Sequence, residues 1–325
     1  MRDASAQPRV SIVICAYNAG PLLRAAVDSA LAQTWSNLEV LVVDDGSTDG
    51  CTDHLAERMG DPRLRLLRQA NTGKAGALNL ALRELTGAYY ALLDADDLCH
   101  PERVARQMEC FDAHPELAGV FCGFELLIHE HRLAPRFAER SIAQCRADIA
   151  NFRMPGHDPT AMYRMDAVRG FTYTEELRIG EGLDYILRVG EQLPLMVCGG
   201  VLYSYRVNLE GLTKSDPRFR DEQVRRALTL ACTRRGVPLE AGPRLLHVPP
   251  PTSFTPRDRD NNLAAHFIES VVDLRRAGRW GAALRTALQC ARMHPCTPHY
   301  LKPLVLSLVP LRLLPWLRRT SEANR

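Results

Sequence analysis

Several features that define common protein classes are scarce or missing in this sequence. Ten cysteines occur, but none forms a CxxC pair or a Cys/His spacing typical of a metal site. Aromatic residues make up only 6% of the chain and do not alternate with basic ones, and the formal net charge is +3. These values argue against a nucleic-acid-binding protein. The best candidate for a membrane span, residues 303–311, is far shorter than the roughly 20 residues that a spanning helix needs.

The composition is typical of a globular protein, and the cysteine pattern indicates a reducing compartment. The chain has 325 residues, of which 46% are hydrophobic and 24% charged, so it can bury a substantial core. Several cysteines, among them Cys15, Cys122 and Cys198, lie in apolar runs, where a free thiol acts as a small hydrophobe. Residues 1–5 lack the apolar stretch of a secretory signal. We therefore expect a cytoplasmic protein with reduced cysteines.

The first half of the sequence alternates short apolar runs with segments of helical periodicity. Strands are predicted at residues 10–15, 38–43, 64–67, 89–93 and 119–124, and helices at 21–33, 52–59, 75–85 and 101–114. This alternation is typical of βαβ units, and it predicts an α/β fold whose mainly parallel sheet is flanked by helices. Residues 125–155 show no clear period. Two further helices are predicted at 263–276 and 280–294, after a proline-rich and polar stretch.

The most informative motif is the acidic cluster Asp94, Asp96 and Asp97, which follows the apolar run 89–93. Open α/β sheets bind their ligands at the carboxyl ends of the strands, which is where these carboxylates are predicted to lie. Crowded carboxylates repel one another unless a cation offsets their charge. Their oxygen atoms suit Mg²⁺ or Mn²⁺, with phosphate oxygens completing the coordination shell. The alternative is a solvated acidic turn that leads into the next helix.

Polar groups follow other predicted strands as well. Asn18 follows the first strand and residues 44–49 follow the second, so in a parallel sheet they meet the acidic cluster at one edge. Beside them, Gly73 and Lys74 begin a helix whose N-terminus favours a phosphate. One edge thus offers carboxylates for a metal and donors for a phosphate. This pattern predicts a nucleotide-diphosphate site, although the sequence has no Walker or GxGxxG loop.

Five motifs occur in a fixed order within about the first 100 residues: 10–18 (VSIVICAYN), 32–34 (AQT), 42–49 (VVDDGSTD), 71–79 (NTGKAGALN) and 93–97 (LDADD). A DxD triplet alone is a poor signal, but this ordered set resembles glycosyltransferase family 2. Weaker similarity extends to about Thr213. The resemblance implies a GT-A-type, Rossmann-like α/β domain with a C-terminal helical extension.

The resemblance also implies donor-binding roles at matching positions. Asp44 would contact the nucleobase, with the backbone near Ala16 and Tyr17 lining the same pocket. Arg206 lies in a downstream strand that folds over the donor in relatives, where it would oppose the diphosphate charge. The alternative for Arg206 is a solvated residue at a strand end. Because uridine is the commonest nucleobase in relatives, we expect a UDP-linked sugar.

The acidic cluster and Lys74 are implied to bind the rest of the donor. Asp94 would face the ribose, and Asp96 would ligate the divalent metal, Mg²⁺ or Mn²⁺, that bridges the diphosphate. Lys74 lies where the family's loop approaches the donor. Asp97 is expected only to begin the next helix.

The group that takes the acceptor's proton is not fixed by the motifs. An inverting transfer needs such a general base, and in this family it is usually the Asp of a Glu-Asp pair. Here Glu181 is present, but Gly182 stands where that Asp is expected. Glu181 is the first candidate and Asp184 the second, and the alternative is that Glu181 only complements the helix dipole. His157 matches a position near the acceptor pocket and is a minor candidate.

The function implied by the resemblance is inverting, metal-assisted transfer of a sugar from a nucleotide-diphosphate sugar to a glycan or lipid-linked acceptor in cell-surface polysaccharide synthesis. Residues 1–125 would form the nucleotide-sugar-binding half of the GT-A domain, 126–215 its acceptor-binding half, 216–262 a linker and 263–325 the helical extension. One alternative is a nucleotide-sugar- or glycan-binding protein that has lost its base, as Gly182 suggests. The other is a sugar nucleotidyltransferase, which would need a Gly/Arg-rich phosphate loop near the N-terminus.

The end of the chain permits two interpretations. Residues 300–319 mix apolar side chains with Lys and Arg. Such a segment either packs on its own domain or a partner subunit, or lies on the anionic inner face of a membrane. Peripheral membrane contact is therefore kept as an expectation alongside the cytoplasmic location.

Overall fold

A computed structural model describes residues 7–53, 55, 60–128, 131–136, 139–207, 217–243, 246, 256–276, 278–293 and 298–309. The strands are β1 (Val10–Ala16), β2 (Leu38–Asp44), β3 (Leu64–Arg68), β4 (Tyr89–Leu92), β5 (Leu98–Cys99), β6 (Gly119–Ile128), β7 (His131–Arg136), β8 (Met162–Arg164) and β9 (Leu195–Arg206). The α-helices are α1 (Leu22–Leu31), α2 (Lys74–Glu84), α3 (Arg103–Ala113), α4 (Ile142–Ala150), α5 (Met165–Val168), α6 (Glu181–Gln192), α7 (Pro217–Arg235), α8 (Pro256–Arg276), α9 (Trp280–Met293) and α10 (Pro298–Leu308). Most of the helix predicted over 52–59, together with Thr213 and residues 310–325, lies outside the described residues.

The described strands form a sheet in the order β3-β2-β1-β4-β8-β6-β9-β5, with β7 paired to β6. Strands β3, β2, β1 and β4 pair in parallel. In contrast, β8 pairs antiparallel with β4 and β6, and β5 pairs antiparallel with β9. The α/β fold class predicted from the sequence is confirmed. The antiparallel strand β8, which inserts between β4 and β6, is a feature that the βα alternation did not indicate.

Strands β1 and β2 are apolar on both faces because helices cover both sides of the parallel half of the sheet. On one side, Ile12 and Val40 pack with side chains from α1 and α3. On the other side, Val13 and Leu41 pack with side chains from α2 and α6. Burial of both faces turns these strands into nearly continuous apolar runs, so the polar residues with functional potential fall in the loops at their ends.

The chain divides into two compact units. The first comprises Met1–Glu125, Pro135–Tyr205 and Glu222–Pro249, and it contains the parallel half of the sheet. The second comprises Leu126–Ala134, Arg206–Asp221 and Pro250–Arg325. The four-part division expected from the sequence stays a prediction.

The second unit contains the helical extension, formed by α8, α9 and α10. Their apolar faces share a core that includes Val271, Ala283 and Leu306. The buried Arg275 guanidinium donates hydrogen bonds to backbone carbonyls near the end of α10 and lies 3.7 Å over the Trp280 ring. Among the described residues, no helix combines the length and the apolar character needed to cross a bilayer.

Arg103 connects the parallel strands to the segment that precedes β8. Its side chain is fully buried in α3. Nη1 donates to the carbonyl oxygen of Leu92 at 2.7 Å, and Nη2 donates to those of Pro159 at 3.1 Å and Ala161 at 3.2 Å. Because a cationic donor strengthens each bond, this one side chain fixes the end of β4 against residues 158–161. Both segments contribute to the site described below.

Replacement of Arg103 by Met is expected to lower the free energy of unfolding by about 3 kcal/mol. Methionine keeps much of the apolar stem but cannot donate to the three carbonyl groups. Urea unfolding followed by circular dichroism measures the change. Arg106→Met, on the exposed face of the same helix, is the matched control and should change stability by less than about 0.5 kcal/mol. Equal effects of the two substitutions would show that the buried hydrogen bonds contribute nothing.

Candidate functional site

The register of the parallel strands brings the first predicted donor residues to one edge. Ala16 at the end of β1 lies opposite Asp44 at the end of β2, and Asp44 lies opposite Arg68 at the end of β3. The loops that follow β1 and β2 are also joined, because the Asn18 N–H donates to Ser47 Oγ at 3.0 Å. The carboxyl edge predicted from the sequence is therefore a continuous surface.

Asp44 lines a cleft of about 410 Å³ together with the loop that follows it and residues 68–69. Its Oδ1 accepts a hydrogen bond from the Ser47 N–H at 2.9 Å, and its Oδ2 lies 3.7 Å from Arg68 Nε. Ala16 is buried beside it, whereas Tyr17 is 55% exposed. The cleft thus combines a buried carboxylate, polar backbone groups and a neighbouring solvent-exposed aromatic ring.

Asp45 fixes the loop that leads into α2. Its buried carboxylate accepts hydrogen bonds from the N–H groups of Thr72 and Gly73, both at 2.8 Å, and from Gln69 Nε2 at 2.7 Å. These N–H groups, which the sequence analysis assigned to a phosphate, are therefore engaged by Asp45. No separate role was expected for Asp45, whose signal in the sequence is its place in the motif 42–49, directly after Asp44.

The backbone conformation at the start of α2 favours glycine at position 73. Its φ of 88° lies in the left-handed region, which glycine adopts without strain. In addition, a Cβ atom at this position would overlap the Arg178 guanidinium. The exposed side chain of Arg178, which the sequence analysis missed, therefore places a second cation beside Lys74, the first residue of α2.

Lys74, whose side chain is 34% exposed, is the centre of a partly buried charge cluster. Its Nζ lies 2.7 Å from Asp94 Oδ1 and 4.0 Å from both Asp158 Oδ2 and Glu181 Oε1. Burial opposes protonation of the amine, but the three carboxylates outweigh it and hold the pKa of Lys74 well above its usual value. Lys74 is therefore a permanent cation that joins three separate parts of the chain.

The three aspartates of the acidic motif have different surroundings. Asp94 accepts from Lys74 and its N–H donates to Tyr203 Oη at 3.2 Å. Tyr203 in turn donates to Asp97 Oδ2 at 2.6 Å, and Asp97 is fully buried. Asp97 thus belongs to the structural core of the turn, whereas Asp94 and the half-buried Asp96 lie at its surface. Only the latter two are accessible to a ligand.

The donor set at this turn fits a divalent metal that arrives with its substrate. Within the described residues, no group of three His, Cys, Asp or Glu side chains is arranged to hold a metal by itself. Mg²⁺ is commonly bound through one or two carboxylates together with substrate phosphates and water. Asp96, with Asp94 two residues away, supplies carboxylates of this kind.

The two predicted base candidates are separated in the structure. Glu181, the first residue of α6, is nine-tenths buried and joins the Lys74 cluster. Asp184 is instead surrounded by other partners: its Oδ2 accepts from Thr174 Oγ1 at 2.6 Å and Arg188 Nε at 2.9 Å, and its Oδ1 lies 3.5 Å from Arg234. A buried carboxylate bound by two arginines is a typical structural ion pair.

Asp158 is a member of the cluster that the sequence analysis missed. Its Oδ1 is buried and has no hydrogen-bond partner among the described residues. Burial raises the pKa of Asp158 to about 7; Lys74 opposes this rise, and the carboxylates of Glu181 and Asp94 add to it. No motif marks this residue, because its partners lie far away in the sequence.

His157 lies beside the cluster in an aromatic setting. Its ring is 4.9 Å from that of Phe124 and 5.1 Å from that of Tyr205. Burial lowers the pKa of His157 to about 4, so the imidazole is neutral at physiological pH. Arg206, the next residue after Tyr205, ends β9 and is half-buried. The donor-binding role of Arg206 stays a prediction.

Replacement of Asp158 by Asn is expected to raise the free energy of unfolding above about pH 7 and to leave it unchanged below about pH 4. The pKa of Asp158 is raised from 3.8 to about 7 by folding, so between these values the folded state holds a proton that the unfolded state releases. Wild-type stability therefore falls as the pH rises through this window, by up to about 4 kcal/mol. Because the asparagine side chain does not ionise, the variant should not show this fall in stability as the pH rises.

Urea unfolding across this pH range measures the difference between Asp158→Asn and the wild type. Asp166→Asn, at a side chain that is 74% exposed, is the matched control and should not alter the pH dependence. A destabilised Asp158→Asn variant at alkaline pH would contradict the assignment of a strained, buried carboxylate.

Comparison with known proteins shows the fold of the chain and a family that about half of it matches. Residues 11–169 match the protein family described as glycosyl transferase family 2. The succinoglycan biosynthesis protein ExoO of Rhizobium meliloti is 31% identical over 210 residues, which cover 59% of this chain and 57% of ExoO. An uncharacterized glycosyltransferase of Rickettsia typhi is 37% identical over 128 residues, and the match covers 39% of this chain. The chain spans only 40% of the length of that relative and 18% of a Rickettsia bellii relative.

Solved structures share the same architecture over nearly the whole chain. Residues 1–349 of S. aureus TarS match with a TM-score of 0.55 at 16% identity, covering 96% of this chain and 92% of that one. The mannosyltransferase PcManGT from Pyrobaculum calidifontis matches with a TM-score of 0.54 at 21% identity, covering 95% and 88%. At these identities the likeness shows the fold alone. Residues 11–169 therefore match glycosyl transferase family 2, and the chain has the GT-A fold.

Proposed function

We propose that this chain is an inverting, metal-assisted glycosyltransferase that uses a nucleotide-diphosphate sugar. One observation carries the proposal: Lys74 gathers carboxylates at the carboxyl edge of parallel strands, within 2.7 Å of Asp94 and 4.0 Å of Glu181. The neighbouring strand β2 ends at Asp44 in a cleft. A donor laid along this edge would meet the cleft at one end and the charge cluster at the other.

The relatives support the donor class and a role in polysaccharide synthesis. TarS has been solved with UDP and with UDP-GlcNAc, and PcManGT with GDP-Man and Mn²⁺. The name of the R. meliloti relative refers to succinoglycan, a polysaccharide. We therefore infer a UDP-linked donor and a glycan or lipid-linked acceptor of cell-surface polysaccharide synthesis. The reaction would take place at the cytoplasmic side, with peripheral membrane contact near the C-terminus.

Each donor group has a proposed partner at the edge. Asp44 would bind the nucleobase, with Tyr17 and the backbone of Ala16 beside it. Asp94, which is 28% exposed, would accept hydrogen bonds from the ribose hydroxyl groups. Arg206 would oppose the diphosphate charge, as its family position implies.

The leaving diphosphate needs positive charge. When bound, Mg²⁺ or Mn²⁺ would be held by Asp96 and would stabilise the negative charge that develops on the diphosphate. Lys74 is positioned to hold Asp94 and Glu181 at fixed orientations, so that the carboxylates do not reorganise when the donor binds. The acceptor hydroxyl must also lose its proton, and the carboxylates around Lys74 are the groups available for that step.

Replacement of Asp96 by Ala is expected to reduce metal-dependent release of nucleoside diphosphate by roughly 100-fold or more, because the proposed metal ligand is lost. The assay uses UDP-glucose, UDP-GlcNAc and GDP-mannose as donors, with Mn²⁺ or Mg²⁺, and follows nucleotide release. Thermal-shift measurements identify the donor first, since a ligand that binds the native state raises the melting temperature.

Asp112→Ala, at an exposed position on α3, is the matched control and should release nucleotide at the wild-type rate. Full activity of Asp96→Ala in the presence of chelator would contradict the proposed metal role. A wild-type chain that is stabilised by a donor but releases no nucleotide would be a binding protein instead.

A further inference from the structure

Gly182 and Asp158 lie against each other in the structure, although they are 24 positions apart in the sequence. Gly182 is the second residue of α6, and Asp158 begins the 3₁₀ turn Asp158–Thr160. A Cβ atom built on Gly182 would overlap the carboxyl carbon and Oδ2 of Asp158 and would lie 2.7 Å from its Oδ1. The absence of a side chain at 182 is therefore what admits the Asp158 carboxyl group to this position.

The Asp158 carboxyl group also lacks hydrogen bonds to the described residues. Its Oδ2 is 4.0 Å from Lys74 Nζ, beyond hydrogen-bond distance, and its buried Oδ1 has no partner within the described part of the chain. An unpaired buried oxygen is costly and calls for an explanation. A ligand hydroxyl that donates to Oδ1 would satisfy it. Because the pKa of Asp158 is about 7 as a result of burial, a proton could be taken up there at neutral pH.

We infer that Asp158 is the general base of the transfer reaction and takes the place of the side chain that Gly182 lacks. The inference rests on the proposed function. In the step, a lone pair of the acceptor oxygen forms the new bond to the anomeric carbon, and the bond from that carbon to the diphosphate oxygen breaks. The electron pair of the broken bond leaves with the diphosphate, and the acceptor's proton passes to Asp158.

The other two carboxylates are less suited to this role. Asp184 is 1% exposed and lies outside the Lys74 cluster: its Oδ2 accepts from Thr174 and Arg188, and its Oδ1, although it accepts no hydrogen bond, faces the Arg234 guanidinium at 3.5 Å. Glu181 lies at the N-terminus of α6, where the helix dipole favours its charged form, although burial on balance raises its pKa. Neither of its carboxylate oxygens is a buried atom without a hydrogen-bond partner. Among the described residues, only Asp158 combines a place in the Lys74 cluster with a buried oxygen that has no hydrogen-bond partner.

The test uses the donor itself, with water as the acceptor, so the natural acceptor need not be known. Nucleotide release from UDP-glucose, UDP-GlcNAc or GDP-mannose is measured for the wild type, Asp158→Asn, Asp158→Ala, Glu181→Gln, Gly182→Asp and the double variant Asp158→Ala/Gly182→Asp. Each reaction is repeated with sodium azide, because the azide anion attacks the anomeric carbon without a proton to lose. Circular dichroism and donor-induced thermal shift report folding and donor binding.

Asp158→Asn and Asp158→Ala should lose roughly 100-fold or more of the water reaction while donor-induced stabilisation persists. Azide should restore nucleotide release in Asp158→Ala and yield the glycosyl azide. Gly182→Asp should lose activity because its side chain collides with Asp158, and the double variant, which moves the carboxylate from 158 to 182, should recover most of the loss. The azide response separates a base from a residue that only shapes the pocket.

Several outcomes would overturn the inference. Wild-type rates in Asp158→Asn would do so, as would azide rescue of Glu181→Gln in place of Asp158→Ala. The inference would also fail if Asp158→Ala folds and binds the donor but releases nucleotide slowly both with and without azide. If Asp158→Ala does not fold, the isosteric Asp158→Asn and the double variant decide the question. If the wild type releases no nucleotide from any donor, the proposed function is contradicted, and so is the assignment of Asp158 as its general base.

Discussion

The charge balance around Lys74 is the constraint on which the rest of the site depends. A partly buried ammonium group such as that of Lys74 is stabilised when carboxylates compensate for its lost hydration. Here the compensation comes from Asp94 after β4, Asp158 before β8 and Glu181 at the start of α6. Burial raises the pKa values of Asp158 and Glu181, and neighbouring carboxylates add to the rise, whereas Lys74 opposes it without cancelling it. Because three carboxylates face one ammonium group, the cluster can accept a proton or a further cation when a ligand binds.

The fold supplies this cluster by assembling two kinds of strand pairing. Parallel strands β1, β2 and β4 end on one edge, and Asp45 ties the loop before Lys74 to that edge through backbone N–H groups. Antiparallel β8 then places the preceding segment, with Asp158, beside β4, and Arg103 fixes the two together. The donor side of the site is thus built from local motifs, whereas the proposed base depends on long-range packing.

This difference explains how much could be predicted from the sequence. The apolar runs of β1 to β4 and the motif residues Asp44, Lys74 and Asp94 were predictable because each signal is local. Helix α4 was missed within the unassigned region 125–155, although Ser141 and Gln144 form a capping box there. The contact between Asp158 and Gly182 was not predictable from one sequence, since a glycine carries no sign of what fills the space beside it. Of the partners of Asp184, Arg188 lies one helical turn away, a spacing that a sequence can reveal, whereas Thr174 and Arg234 come from other segments.

The most direct test of the account is a crystal structure of the chain with UDP and Mn²⁺, with anomalous data collected to locate the metal. The account predicts uracil in the Asp44 cleft, an anomalous peak at Asp96 and the diphosphate between that peak and the N-terminus of α2. Asp158 should face the side of the site that the acceptor would approach. Nucleotide bound away from the carboxyl ends of β1, β2 and β4, or a metal peak away from Asp96, would contradict the account.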